Sequence, residues 1–157
     1  MSRFLPFQVP TSDPLGISKP LGNLAQRHAG SIELGYLTQK SGQIIDAVKP
    51  IEGEIIIKKT FPNAFAGTDL LSVLRIYPSR DQLIVAGFMT HMCIASTASS
   101  AIDNGYFTTV VSSTTTTRDL KGPGGEAIPA RAVKNAALAT LKDRFSLVLN
   151  DIQELQD

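Results

Sequence analysis

The hydrophobic pattern of the chain is densest between positions 83 and 111. Residues 83–88, LIVAGF, form an unbroken apolar run of strand length, as expected for a strand buried on both faces of a parallel sheet. A tight connection follows, Met89-Thr90-His91-Met92, and then Cys93. Residues 94–103 are rich in Ala, Ser and Thr and predict a helix whose backbone lies close against a sheet. Asn104-Gly105 stops that helix, because both residues tolerate the left-handed conformation. Residues 106–111 are aromatic and β-branched enough for the next strand. Strand, helix, strand is one parallel crossover unit.

A second unit precedes it. Residues 54–59, EIIIKK, predict a β-branched strand, and a loop over 60–67 carries Pro62, Asn63 and Phe65. Thr68 is placed to cap a helix over 69–77, with Leu70, Leu71 and Leu74 as its apolar stripe and Asp69 complementing the dipole. Pro78-Ser-Arg-Asp81 turns the chain into the 83–88 strand. Downstream come a glycine-rich loop at 122–125, a helix over 129–143 with Val133, Ala137, Leu138 and Leu141 inward, and a last strand over 145–149. The Thr114–Thr117 run sits at a strand end. Upstream, Pro6, Pro10, Pro14 and Pro20 break every period and leave at most a short strand around 4–9. Residues 24–28 predict a helical turn, and 44–48 a short helix or turn closed by Pro50. Strands alternating with helices imply an α/β fold, a three-layer α/β/α sandwich with a mainly parallel sheet. No Gly-rich phosphate loop follows a first strand, which argues against a nucleotide-binding version of that architecture.

Composition narrows the function classes. At 157 residues the chain is expected to form one domain, able to bury roughly 70% of its unfolded surface. The net charge of +1 points to neither nucleic acid nor an anionic membrane surface. A single cysteine excludes an internal disulfide and suits a reducing compartment. The N-terminal apolar run is too short for a signal peptide, and no stretch approaches a membrane span, so a soluble cytoplasmic protein is expected. The two histidines, His28 and His91, have no metal-ligand spacing, so no metal is expected.

Cys93 is the residue with chemistry in its position. Unpaired amides at a helix N-terminus, together with the helix dipole, stabilise an anion, so a cysteine there ionises more easily than a free thiol. The same amides can receive the oxyanion formed when a thiolate attacks a carbonyl. Position alone leaves two readings open: a nucleophile, or a buried cysteine acting as a small apolar residue.

Three motifs decide between them. Residues 59–70, KTFPNAFAGTDL, residues 87–94, GFMTHMCI, and residues 117–120, TRDL, occur in the order found in the isochorismatase-like cysteine hydrolases. The resemblance to this superfamily of nicotinamidases, carbamoylsarcosine amidases and isochorismatases covers 43–150 and leaves 1–42 poorly matched. It implies hydrolysis of a small amide or related carbonyl compound through a thioester on Cys93, without a cofactor. It implies that Lys59 stands close to the thiolate and shuttles a proton. Lys58 competes for that role, but adjacent strand residues point to opposite faces, and the spacing to Asn63-Ala-Phe65 favours Lys59. The resemblance further implies a non-proline cis peptide at Met89-Thr90, which aims the amides of Met89 and Cys93 into one oxyanion hole. Phe65 and His91 are the expected pocket residues. The expected partners are a small-molecule substrate and further copies of the chain, as a dimer or tetramer.

The departures are as specific. The family places a catalytic aspartate at the end of its first, central strand, followed closely by a glutamine. No strand of that kind is legible before residue 43, and Asp13, the one acid in the first twenty residues, sits in a turn sequence, Ser-Asp-Pro-Leu-Gly. Lys134 stands where many relatives have a histidine, and Ser112-Ser113-Thr114 where relatives often read Ser-Asp-Ala. The aspartate and histidines that bind metal in nicotinamidases have no counterpart. A catalytically impaired member kept for binding or assembly is therefore the alternative reading.

Overall fold

The computed structural model describes residues 3–7, 32–35, 50 and 52–155, the first two segments as backbone strands. The segments 24–28 and 44–48, together with Asp13 and His28, lie outside them. Six parallel strands form one sheet: β1 (Arg3–Phe7), β2 (Ile32–Gly35), β3 (Ile55–Lys58), β4 (Gln82–Phe88), β5 (Phe107–Thr116) and, after a small hairpin, β8 (Ser146–Leu149), in the spatial order β3-β2-β1-β4-β5-β8. The hairpin pairs β6 (Leu120–Lys121) with β7 (Ala127–Ile128) in antiparallel fashion. The described part also holds three α-helices, α1 (Leu70–Arg75), α2 (Ala95–Asp103) and α3 (Ala130–Arg144), with a π-helical turn at Thr90–Ile94 and a 3-10 turn at Ile152–Glu154. The α/β sandwich expected from the alternation of strands and helices is the fold found.

The first strand corrects the sequence reading. At most a short strand was expected around 4–9, and the family's central first strand was expected to be missing. The short strand is β1, and it lies between β2 and β4 and pairs along its whole length with β4, from Arg3 opposite Leu83 to Phe7 opposite Gly87. Proline is costly in a central strand because it removes one ladder donor. Pro6 is the penultimate residue of β1, opposite Ala86, where only the end of the ladder is affected.

The strands bury alternate faces as their patterns require. Leu83, Val85 and Val110 share one core cluster with Leu70 and Leu74 of α1, Ala98 and Ala101 of α2, and Leu138 and Leu141 of α3. Ile84 and Val111 face the other way, against Leu149 and Leu155. Leu141 is 1% exposed, so Leu141→Ala is expected to cost about 2–5 kcal/mol of stability by leaving a cavity. Urea unfolding of the variant measures it, and a loss below ~1 kcal/mol would place Leu141 outside the packed core.

Local details refine the element ends. The N-cap of α1 is Asp69 rather than Thr68, and its side chain makes no cap bond. The Thr68 hydroxyl nevertheless accepts from the Leu70 amide at 3.2 Å and donates to the Ala64 carbonyl. At the end of α2 only Gly105 takes the left-handed conformation, with φ 84°, while Asn104 stays at φ −98°. Strand β5 runs five residues beyond the predicted end at 111, past a bulge: Val110 lies opposite Val85, but the next registered pair is Thr115 with Gly87. Hydroxyls close the bulge on itself, Thr114 donating to the Val111 carbonyl at 2.9 Å and Thr115 to the Ser112 carbonyl at 3.2 Å. Ser and Thr offer the backbone such local partners, which is why the run could leave the ladder and rejoin it.

Candidate active site

Two segments that follow parallel strands meet at the C-terminal end of the sheet, the end where open α/β sheets hold their ligands. One begins at Lys59, directly after β3. The other is the π-helical turn Thr90–Ile94, which starts two residues after β4 ends and continues into α2. The helical run thus begins at Thr90, and Cys93 lies within its first turn rather than at its first residue.

Strand alternation separates the two lysines. Lys58 is exposed, whereas Lys59 is 2% exposed. Its Nζ stands 3.5 Å from Cys93 Sγ, itself 1% exposed, and donates to the carbonyls of Phe61 at 2.9 Å and Pro62 at 3.3 Å. Burial lowers the Lys59 pKa from its ordinary 10.5, because removing an ammonium from water disfavours its charged form. The nearby Cys93 opposes that shift, through charge attraction and the hydrogen bond.

The lysine loop is docked on α2 by side chains that the sequence reading passed over. The Thr97 hydroxyl accepts from the Ala64 amide at 3.0 Å and donates to the Pro62 carbonyl at 3.4 Å. Asn63 donates to Ser100 Oγ at 3.1 Å, and its Oδ1 accepts from the Phe65 amide at 2.9 Å. The small polar residues of α2, read as permitting close approach, are the anchors that hold Lys59 over the nucleophile loop. A run of Ser and Thr facing a Pro-Asn loop was the available signal. Phe65 itself is half-buried and packs against the core cluster that contains Cys93.

The nucleophile loop is fixed from below and from the side. The Met89 carbonyl accepts from the amides of Met92 at 3.1 Å and Ile94 at 3.2 Å, making it the first acceptor of the helical turn. The cis peptide falls at Phe88-Met89, not at Met89-Thr90 as expected. The cis bond thus lies one residue earlier, at the end of β4. Thr90, fully buried, donates from Oγ1 to the Thr116 carbonyl at 2.9 Å. His91 is half-buried, and its Nδ1 meets the Thr117 hydroxyl. Its pKa lies below the ordinary 6.5, first because of burial and second because of the Arg118 charge, so the imidazole is neutral at neutral pH.

The β5–α3 connection is pinned as well. Asp119 Oδ1 accepts from the Ala130 amide at 2.7 Å and so satisfies a free donor at the N-terminus of α3. One turn further along, Lys134 Nζ donates to the carbonyls of Ser112 and Thr115, each at 2.8 Å. Burial lowers the Lys134 pKa below 10.5. Among the described residues no group of three or more His, Cys, Asp or Glu is placed to hold a metal ion. Among them, too, no helix is long and apolar enough to cross a membrane.

Comparison with known proteins identifies the family. The model of the isochorismatase domain matches residues 37–151. This chain belongs to the isochorismatase family. An uncharacterized isochorismatase family protein of Bacillus subtilis, YddQ, is 36% identical over 106 residues, covering 68% of this chain and 58% of that protein. The secreted isochorismatase effector Isc1 of Verticillium dahliae is 28% identical over 111 residues, 71% of this chain and 55% of its own length. The chain thus spans little more than half the length of the curated relatives it matches. Among solved structures, an isochorismatase from Pseudomonas putida superposes with a TM-score of 0.79 at 29% identity, covering 94% of this chain and 87% of that one. A cysteine hydrolase from Pseudomonas syringae pv. phaseolicola shares the fold, with a TM-score of 0.79 at 22% identity over 94% and 88% of the two chains.

Proposed function

We propose that the chain is a cysteine hydrolase that cleaves a small amide or related carbonyl compound through a thioester on Cys93. The observation that carries this reading is the buried contact of 3.5 Å between Lys59 Nζ and Cys93 Sγ. An ammonium at that distance stabilises the thiolate and holds a proton beside the reacting centre. The Cys93 thiolate attacks the carbonyl carbon, a C–S bond forms, and the oxygen becomes an oxyanion received by the amides of Met89 and Cys93. As the oxyanion collapses, the bond to the leaving group breaks, and an amine leaving group takes up a proton. Water then attacks the thioester, releasing the acid and restoring the thiol.

Incubation with a 4-nitrophenyl ester, followed by rapid quenching and mass spectrometry, tests the reading. An acyl adduct on Cys93 and a burst of nitrophenol are expected. Linear product release with no adduct would remove the covalent route.

No step above calls for a metal ion. Turnover is therefore expected to survive exhaustive chelation, with no stoichiometric zinc or iron by elemental analysis. Activity lost on chelation and restored by one metal would overturn that part of the proposal.

One observation favours the second reading, a member kept for binding or assembly. Strand β1, Arg-Phe-Leu-Pro-Phe, carries no acidic side chain, although Gln8 follows it at once. Pro6 or Phe7 stands where the family pattern puts its aspartate.

A further inference from the structure

We propose that Lys134 is a positioning residue for the nucleophile, acting through the bulge of β5. Of the two carbonyls it holds, Ser112 lies inside the segment in which β5 leaves register with β4, and Thr115 is the residue at which the register resumes. A bulge disrupts the ladder locally and re-aims the residues that follow it. One ammonium donating 2.8 Å bonds to both carbonyls sets the span of the bulge. Beyond it, β5 rejoins β4 only at Gly87 and Phe88, the last residues before the nucleophile loop.

Thr116, the last residue of β5, and Thr117 directly after it touch that loop. Thr116 accepts from Thr90 through its carbonyl, and the Thr117 hydroxyl meets His91. All four threonines of the 114–117 run therefore have assigned work: the first two close the bulge and the last two hold the turn that carries Cys93. Helix α3 provides a fixed base for the clamp, because Asp119 ties its N-terminus and Val133, Leu138 and Leu141 bury its inner face. Lys134 touches no reacting atom. It sets where Thr116 and Thr117 lie, and these set the nucleophile loop.

The kinetic arm of the test rests on the proposed hydrolase reading; the hydrogen-exchange arm does not. In Lys134→Met, amides of 89–94 are expected to exchange faster than in the parent protein. The kcat for 4-nitrophenyl acetate is expected to fall roughly 10- to 100-fold with KM nearly unchanged, as for a reacting group misplaced by about 1 Å. Lys134→Arg, which can still donate to both carbonyls, should recover most of both properties. Leu138→Ala loosens the same helix without touching the bulge, and supplies the comparison at matched stability. Exchange at 89–94 unchanged in Lys134→Met, or loosened equally by Leu138→Ala, would overturn the proposal. So would a failure of Lys134→Arg to recover what Lys134→Met loses. If Lys134→Met does not fold, Lys134→Gln takes its place with the same expected and overturning results. If the parent protein shows no ester turnover, the hydrolase reading falls and the exchange comparison alone decides the role of Lys134.

Discussion

Cys93→Ala is expected to abolish the acyl adduct and to lower activated-ester turnover by a factor on the order of 10⁴ or more, as loss of a covalent nucleophile does. Lys59→Met should keep the adduct but form it about 10²- to 10⁴-fold more slowly, the usual contribution of a positioned proton carrier. The two effects should not add, because both side chains serve one bond-forming step. Cys93 is the only cysteine in the chain, so iodoacetamide labelling followed over time reads this thiol and no other. Its rate is expected to drop in Lys59→Met as well, since the nearest described cation to the sulfur is then gone. Burial of both side chains means that unfolding must be checked by urea titration of each variant. A Cys93→Ala protein that still hydrolyses the ester at the parent rate would end the assignment. Labelling indifferent to Lys59 would leave the 3.5 Å contact without a chemical role.

The second large effect concerns leaving groups. A thiolate beside a lysine can attack an activated carbonyl, but expelling an amine requires a proton delivered to the leaving nitrogen. Strand β1 brings no carboxylate to the centre of the sheet, where the family pattern has one. Simple amides such as nicotinamide and small carbamoyl compounds are therefore expected to turn over 10²- to 10⁴-fold more slowly, relative to nitrophenyl esters, than in a relative with that acid, the range general acid–base catalysis usually supplies. The comparison is amide against ester turnover for this chain and for Asp13→Asn. Efficient amide hydrolysis by both proteins would refute the impaired-enzyme reading and point to an acid from elsewhere, a second copy of the chain included. Efficient hydrolysis lost only in Asp13→Asn would make Asp13 the acid, supplied from a new position in the chain.

Much of the fold was legible because its signals are local. The 83–88 run, the small-residue helix after it and the Leu70/Leu74 stripe report burial within one element, and the elements formed within one or two residues of their expected ends. Strand alternation required that only one of Lys58 and Lys59 serve, the spacing to Asn63-Ala-Phe65 chose Lys59, and their burial agrees with it. A short strand around 4–9 was legible, and β1 is that strand, but its central place was hidden because four prolines erase the period around it. A strand held by neighbours far along the chain can accept one proline near its end when the partner ladder supplies the other bonds.

The sequence by itself determined the main strands and helices from residue 54 onward, the two parallel crossovers, and the family motifs around Lys59 and Cys93, but not β2 or the β6–β7 hairpin. Only the tertiary structure decided how those motifs meet. Strands β2 and β1 stand between β3 and β4 in the sheet, so the 3.5 Å contact depends on the lysine loop docking on α2 through Thr97 and Ser100. The bulge in β5 and the clamp by Lys134 were likewise settled by non-local partners. Periodicity reports which face of an element is buried. Register and loop closure depend on what the other segments place opposite it, and no single stretch of sequence carries that information.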